Sequence, residues 1–480
     1  MFNTDLDAIV PMLCVTLAAL TTMGYEAFRN RDEKMPVGAL GLVGLVGAAV
    51  TSALLWDRNA EGFGVIAADN FGLFVTLTLV VVGVLTILFS SQVVVRDDMP
   101  AGEYYALVLF SIVGMIMMAT AIDLLVIFIA LEILSLAVYV LTGLRRDNAN
   151  GTEAAFKYFL LGAFSSAFFL YGIAFTYGVT GSTRLSAVGA YLSAQSMSGN
   201  PMILIAMGLL LVGFAFKISA VPFHMWTPDA YEGAPAIVTG FMSTGVKVAA
   251  FAAFTRVFLS AFEPFSVEWA PVVAVIAAAT MILGTVVGVA QANLKRMLAY
   301  SSIAHGGYLL VGLVAANQVG KAAILFYLLA YSVTNLAAFG VIAMLGVRER
   351  GNDELRDYSG LWHTRPGLAA LMTVCLLSLG GLPPTVGFIG KWYIFTAAVS
   401  AGYAWLAIVG VLTSVISVFF YLRVVVMMYM SDRDAGAPLP VHITGMGMTA
   451  LAVAIGVIFY LGILPTQVLN LAAESIATIF

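Results

Sequence analysis

The chain has 480 residues, of which 61% are hydrophobic and only 10% are charged. A soluble domain carries about 25% charged residues, so this composition excludes an ordinary water-soluble enzyme. It also excludes a disordered chain, which would be polar and rich in charge. The formal net charge of −4 offers no basic surface for nucleic acid. Cys14 and Cys375 both lie in apolar runs without a Cys-x-x-Cys sequence, so no metal or iron–sulfur site is expected.

Apolar runs long enough to cross a lipid bilayer recur along the whole chain. A hydrocarbon core of about 30 Å takes about 20 residues as a helix. The sequence predicts an all-α polytopic membrane protein and excludes a β-barrel, whose strands would alternate in hydrophobicity. About fourteen transmembrane helices are predicted, over residues 8–25, 36–56, 71–94, 103–120, 122–143, 154–178, 202–221, 234–260, 269–290, 296–316, 321–346, 367–382 with 384–399, 403–430 and 446–464.

The basic residues outside the predicted spans fall mainly on one side of the membrane. Fourteen Lys and Arg residues lie in or beside one set of alternate loops, and only Arg58, Arg184 and Lys321 belong to the other set. Positive residues are retained on the cytoplasmic side of a membrane. The pattern predicts a multi-pass protein of the bacterial inner (cell) membrane with both termini on the periplasmic or outer side.

Four ionisable residues inside the apolar runs point to function. Glu132 lies near the middle of the fifth predicted span, Lys217 near the end of the seventh, Lys247 in the middle of the eighth and Lys391 in the twelfth. A charge at the bilayer centre costs at least about 2.5–3.5 kcal/mol, so such residues pair, line a wet cavity or do work. One glutamate cannot pair with three lysines, which favours a proton relay over a purely structural ion pair.

Two histidines strengthen this interpretation. His224 lies just past the seventh apolar run, and His305 lies in the tenth span. A single histidine in a membrane helix is more often a hydrogen-bonded packing residue. Together with titratable lysines, however, two histidines favour a relay, because an imidazole both donates and accepts protons near neutral pH.

Proline and glycine interrupt two of the spans, in KISAVPFHMWTPDAYEGAP and in LSLGGLPPTVGFIGKW. Proline breaks helices, and paired broken helices in two halves of a transporter mark an ion path. Each interrupted span is the fourth of a five-span block, and an odd number of spans inverts the second block. We therefore expect N-terminal helices 1–3 over residues 1–102, a first five-helix half-channel over 103–262, an inverted second half-channel over 263–430 and a C-terminal helix 14 over 431–480.

Four segments resemble signatures of a known family: FKISAVPFHMWTPDAYEGAPAIVTGFMSTGVKVAAF, QANLKRMLAYSSIAHGGYLLVGL, LSLGGLPPTVGFIGKWYIF and LEILSLAVYVL. The chain resembles the subunit N family of the proton-pumping NADH-quinone oxidoreductase, respiratory complex I, over essentially its whole length. Sister subunits M and L and the cation/proton antiporter subunits share the PxHxWxPDA pattern. The PDAYEGAP segment, and Lys391 where subunit M would carry a glutamate, favour subunit N.

The resemblance implies an antiporter-like subunit of a translocase that couples quinone reduction elsewhere in the complex to proton pumping. It implies a role for each residue: Glu132 couples to the neighbouring channel, Lys217 is its partner, Lys247 connects the half-channels, Lys391 ends the second one, and His224 and His305 belong to the hydrophilic axis. No redox site, cofactor or metal is expected in this chain. FMN, iron–sulfur clusters and quinone are expected in other subunits, and the partners are the lipid bilayer and membrane subunits of the M, K, J, A, H and L types.

Several other functions stay open. A cation/proton antiporter subunit of the Mrp type, or the membrane subunit of a related hydrogenase, could use the same charges, and a sodium requirement would distinguish the antiporter. A secondary transporter of an organic solute would work as a purified chain alone. A purely structural scaffold is disfavoured by the intact lysine series.

Overall fold

The computed structural model describes residues 4–28, 37–194, 200–346, 353–432 and 445–479. These ranges are almost entirely helical, which confirms the predicted all-α membrane fold. Within them, the regular strand pairing is one short antiparallel hairpin between Ala60–Gly62 and Ile66–Ala68. Eleven helices in the described ranges are long and apolar enough to cross a membrane, and shorter apolar helices accompany them.

Each predicted span has a helical counterpart, and we number the spans in chain order. They are span 1, Val10–Phe28; span 2, Gly38–Leu55; span 3, Asn70–Arg96; span 4, Ala101–Thr120; span 5, Leu124–Thr142; span 6, Ala149–Thr180; span 7, Pro201–Lys217 with Trp226–Gly233; span 8, Ala236–Ala261; span 9, Ser266–Val289; span 10, Leu294–Ala315; span 11, Gln318–Leu345; span 12, Pro366–Gly380 with Val386–Ser400; span 13, Ala404–Met430; and span 14, Gly445–Ile463. Further short helices are Thr4–Asp7, Leu185–Ala194, Glu263–Phe265, Leu355–Tyr358, Leu361–Thr364 and Thr466–Ala477.

Polar side chains fix where several spans begin. The first backbone N–H groups of a helix have no partner within the helix, and a side-chain oxygen just before it can accept from them. Six such caps precede spans 3, 5, 6, 7, 10 and 11, and they are Asp69, Asp123, Asn148, Asn200, Asn293 and Asn317. Polar residues therefore mark the starts of these helices.

Spans 8, 10 and 11 form the interior of the molecule. Other helices bury these three spans almost completely, whereas spans 1, 6 and 14 leave most of their surface exposed. Lys247 of span 8 and His305 of span 10 thus lie in the part of the fold that is farthest from lipid. The packing places two of the predicted site residues in one protein-lined environment.

The interruptions of spans 7 and 12 are confirmed. In span 7 the first helix ends at Lys217 and the second begins at Trp226. In span 12 the first helix ends at Gly380 and the second begins at Val386. Each break begins with a residue in the left-handed region, Ser219 with φ 65° and Gly381 with φ 80°. Both breaks free backbone carbonyl groups inside the protein, and these need partners.

A buried ion pair joins the end of span 8 to the start of span 3. Arg256 donates two hydrogen bonds to the Asp69 carboxylate at 2.6 and 2.8 Å, and a third to the Ala119 carbonyl at 3.2 Å. Both side chains are less than a tenth exposed. Because the pairing is bidentate and the Nε–H group is also bonded, the desolvated charges are well compensated.

Candidate functional site

Lys217 lies at the last helical residue before the break in span 7 and is 2% exposed. Its Nζ donates a hydrogen bond to Ser135 Oγ of span 5 at 2.7 Å. The same Nζ lies 5.5 Å from the ring centroids of Tyr139 and Tyr158. A hydroxyl oxygen and two aromatic faces therefore hold this ammonium group.

Glu132 lies one helical turn before Ser135 on span 5 and is half-buried. Its carboxylate accepts a hydrogen bond from Ser166 Oγ of span 6. Among the described residues, Glu132 and Lys217 form no ion pair within 4.0 Å. A cavity of about 10 Å³ is lined by Lys217 and by Ser166, the hydrogen-bond partner of Glu132. Its size is on the order of one water molecule.

Lys247 lies at the centre of span 8 and is 1% exposed. A π-helical turn, Met242–Val246, directly precedes it. Such turns are rare and occur often at functional sites, because the wider turn re-aims the following side chain. Nζ donates to the carbonyl oxygen of Ser302 and lies 5.9 Å from the Tyr331 ring centroid. Tyr331 in turn donates to Ser302 Oγ at 2.9 Å, so span 10 and span 11 both contact this lysine.

His305 lies one turn beyond Ser302 on span 10 and is 3% exposed. Its Nδ1 is 2.6 Å from the hydroxyl of Tyr327, and its Nε2 is 3.4 Å from the hydroxyl of Tyr421. The Tyr331 ring lies 5.0 Å away, centroid to centroid. Because both ring nitrogens face hydroxyl groups, the imidazole has a donor–acceptor partner on each side.

Lys391 lies on the second helix of span 12 and is 4% exposed. Its Nζ donates to two carbonyl oxygens at the span 12 break, those of Leu379 at 2.8 Å and Gly380 at 3.1 Å. It also donates to Ser414 Oγ of span 13 at 2.8 Å and lies 5.0 Å from the Tyr308 ring centroid. The lysine thus satisfies carbonyl groups that the break leaves without helical partners.

His224 lies apart from these groups. It is half-buried within the span 7 break, and its Nδ1 has no hydrogen-bond partner in the described part of the chain. None of the described hydrogen bonds joins it to Glu132 or to a site lysine. The structure therefore collects Lys247 and His305 in one cluster, holds Glu132 with Lys217 in a second and Lys391 in a third, and leaves His224 separate.

A charged network anchors the PDAYEG segment of span 7. Arg296 of span 10 donates to Asp229 at 2.9 Å and to Glu232 at 2.7 Å. Lys157 of span 6 donates to Asp229 at 3.0 Å. These ion pairs are partly exposed, so each one stabilises the fold only modestly. Their geometric effect is to fix the second helix of span 7 between spans 6 and 10.

Sequence reasoning missed the hydroxyl groups that complete the site. They bond to Glu132, Lys217, Lys391 or His305, or to one another beside Lys247, and they belong to Ser135, Ser166, Ser302, Tyr327, Tyr331, Ser414 and Tyr421. Serine and tyrosine are common in membrane helices, so their type alone carried no signal. The described residues contain no group of three or more His, Cys, Asp or Glu that could hold a metal ion.

Comparisons with known proteins agree with this architecture. Residues 121–417 match the family described as "NADH:quinone oxidoreductase/Mrp antiporter, TM". The NADH-quinone oxidoreductase subunit N of Trichlorobacter lovleyi is 43% identical over 476 residues, covering 99% of this chain and 98% of the relative. A chain of respiratory complex I from Thermus thermophilus superposes with a TM-score of 0.82 at 34% identity, covering 96% of this chain and 99% of that one. A chain of the Mrp complex from a Dietzia species has the same fold, with a TM-score of 0.81 at 23% identity and coverage of 99% and 97%.

Proposed function

Because the chain belongs to the subunit N family of NADH-quinone oxidoreductase, the antiporter-like proton-pumping membrane subunits of complex I, we propose that its protons follow Glu132, Lys217, Lys247, His305 and Lys391. The observation that carries this proposal is the setting of the three lysines. Each ammonium group is buried and is held by hydroxyl or carbonyl oxygens rather than by a carboxylate. Burial without a counter-charge brings the charged and neutral forms close in free energy, so each amine can take up and release a proton.

Glu132 is the control point of the first half of this path. An ionised carboxylate near Lys217 favours the protonated amine, and withdrawing that charge favours release of the proton. The two groups form no ion pair in the described part of the chain, and Ser166, which donates to Glu132, lines a small cavity together with Lys217. A separated pair suits control better than a tight ion pair, because a modest movement of Glu132 changes the interaction without first breaking a buried salt bridge.

Lys247 and His305 carry the proton between the two halves. Ser302 accepts from Lys247 through its carbonyl, and His305 lies one turn further along the same helix. Within the proposed units, residues 103–262 then form a first half-channel and residues 263–430 an inverted second one, flanked by residues 1–102 and 431–480. His224 stays a prediction at the span 7 break, where it would exchange protons with water near Lys217.

The chain is a multi-pass subunit of a respiratory complex. We further place it in the bacterial inner membrane with both termini on the outer side, following its basic residues. Its neighbours in this proposal are membrane subunits of the M, K, J, A, H and L types. FMN, iron–sulfur clusters and quinone belong to other subunits, so this chain moves protons and has no redox site of its own.

Two variants test the proposal in the complex, assayed in inverted native-membrane vesicles that oxidise NADH. Lys217→Ala and Glu132→Gln should lower proton translocation about tenfold or more, while NADH oxidation by an artificial electron acceptor is retained. Arg58→Ala is the control, since it also removes a positive charge but at an exposed residue outside the spans. Undiminished translocation in both site variants would contradict the proposal, and a sodium requirement in the same vesicles would favour cation/proton antiport.

A further inference from the structure

One face of span 13 carries hydroxyl groups although its other faces are apolar and exposed. Ser414, Ser417 and Tyr421 follow one another at i, i+3 and i+7, which places them on the same side of the helix. Ser417 and Tyr421 are 3% and 2% exposed, whereas Val415 and Phe419 between them are largely exposed. The hydroxyl face therefore points into the protein.

This face touches the proposed path at both ends. At one end, Ser414 Oγ accepts from Lys391 Nζ at 2.8 Å. At the other end, the Tyr421 hydroxyl is 3.4 Å from His305 Nε2 and also bonds to Ser301 Oγ. Seven residues of helix span about 10 Å. The hydroxyl face thus covers the distance between the Lys247–His305 cluster and Lys391, which none of the described hydrogen bonds joins directly.

Tyr308 of span 10 contacts both His305 and Lys391. Its ring lies 5.5 Å from His305, centroid to centroid, and 5.0 Å from Lys391 Nζ. Its hydroxyl and that of Thr285 are buried and have no hydrogen-bond partner in the described part of the chain. The hydroxyl groups of Thr285, Thr413, Ser414 and Ser417 lie near that of Tyr308. Buried hydroxyl groups are almost always satisfied by protein or by ordered water, so this geometry suits bridging water.

We propose that Ser414, Ser417, Tyr421 and Tyr308 form a water-bridged hydroxyl relay that carries protons between His305 and Lys391. The inference rests on the proposed function, because it requires both end residues to be on the proton path. A hydroxyl group accepts a proton on its oxygen and gives up its own proton to the next acceptor. Each O–H bond formed is matched by one broken, so the relay returns to its neutral state without any co-reactant.

A purely structural role for these residues makes different predictions. Ser417 Oγ bonds to the Ser414 carbonyl of its own helix at 2.6 Å, and such bonds contribute little to holding spans together. Replacing Ser417 by alanine removes one oxygen and leaves the packing of span 13 nearly intact. A defect in that variant would therefore report on proton transfer rather than on assembly.

The test uses the intact complex in inverted membrane vesicles and measures the proton-to-electron ratio and the solvent deuterium isotope effect on translocation. Ser417→Ala and Tyr421→Phe should slow translocation about tenfold and raise the isotope effect, because the proton must cross a gap in the relay. Ser417→Thr, which restores a hydroxyl, should recover most of the rate. Ser400→Ala is the matched control, since that exposed serine of span 12 bonds only to its own helix.

Lys391→Ala separates this inference from the proposed function. If Lys391→Ala abolishes translocation while Ser417→Ala and Tyr421→Phe leave both readouts unchanged, the relay is wrong and the proposed path stands. If Lys391→Ala also leaves translocation unchanged, the proposed function itself is wrong. Should one relay variant fail to assemble, the other still decides, because the two residues lie on separate turns.

Discussion

The two interrupted spans satisfy their freed backbone groups in different ways. At the span 7 break, the Trp226 indole donates to the carbonyl of Phe216 at 3.0 Å, which leaves the Lys217 ammonium group to a serine of span 5. At the span 12 break, Lys391 itself donates to two freed carbonyl groups. In the described hydrogen bonds, Lys217 thus does not contact the freed carbonyl groups of its break, whereas Lys391 satisfies those of the span 12 break.

This difference assigns the two lysines different tasks. Lys217 is held by a single hydrogen bond and two aromatic faces, so the charge on Glu132 can change its protonation without disturbing the helix break. Lys391 stabilises local backbone structure, and its position is fixed by three hydrogen bonds. We infer that the first site responds to the rest of the complex and that the second is a fixed terminal station.

The largest expected contrast is in stability between the two lysine-to-alanine variants. Lys391→Ala removes the donor to two buried carbonyl groups, and losing the bond to that of Leu379 costs about 1–3 kcal/mol, while Ser414 Oγ still donates to that of Gly380 at 3.4 Å. Lys217→Ala removes a buried charge and frees only a serine acceptor. Both should lose proton translocation, but only Lys391→Ala should clearly lower the thermal denaturation midpoint of the purified complex. Equal midpoints for the two variants would contradict the assigned difference.

Trp226→Phe tests the same difference at the span 7 break, where Trp226 rather than the lysine satisfies a freed carbonyl group. The substitution keeps an aromatic ring beside Tyr158, with which Trp226 stacks at 4.2 Å, but it removes the donor to Phe216. We expect a loss of about 1–3 kcal/mol in stability with most proton translocation retained. Denaturation scans and vesicle assays on one preparation check both halves of this expectation. A loss of translocation without a loss of stability would give Trp226 a direct role in the path.

Gly381→Ala should strain the span 12 break. Its φ of 80° costs a residue with a side chain about 1–2 kcal/mol, and a Cβ here would lie 2.9 Å from Lys391 Cδ. We therefore expect lower stability together with a partial loss of translocation. Gly367→Ala, at a glycine with open space around it, is the control. A fully active Gly381→Ala complex would argue against a fixed position for Lys391.

Ser219→Gly should have the smallest effect of this series. Ser219 has a φ of 65° at the span 7 break, which glycine tolerates better, but its hydroxyl accepts from Thr227 Oγ1 at 2.8 Å. The gain and the loss offset one another, so we expect a change below about 1 kcal/mol. A large change in the denaturation midpoint would show that this break depends on the hydroxyl pair as much as on Trp226.

The sequence predicted the spans well because lipid requires long apolar helices. Span 10 was expected over 296–316 and runs Leu294–Ala315, and span 13 was expected over 403–430 and runs Ala404–Met430. Span 6 is the clear difference, since it was expected over 154–178 but runs Ala149–Thr180. Asn148 caps its start, and polar residues continue the helix beyond its apolar part, where hydropathy gives no signal.

The charged residues of the proposed path could be singled out from the sequence, because a charge in an apolar run is rare and costly. The hydrogen-bond partners of these residues could not be predicted. Tyr421 approaches His305 across 116 residues of sequence, and only the packing of span 13 against span 10 brings them together. The sequence places Lys217 before its break and Lys391 after its own, but it could not show that Lys391 donates to freed carbonyl groups while Lys217 donates to a serine of span 5, because that depends on side-chain geometry.

The most direct test of the central claim is the proton-to-electron ratio of the complex carrying Lys247→Met. In the proposed path Lys247 is the lysine between the two half-channels, and methionine is an uncharged replacement of similar length. If one continuous path runs from Glu132 to Lys391, the ratio should fall while NADH oxidation by an artificial acceptor is retained. An unchanged ratio in a fully assembled complex would contradict a continuous path through this chain.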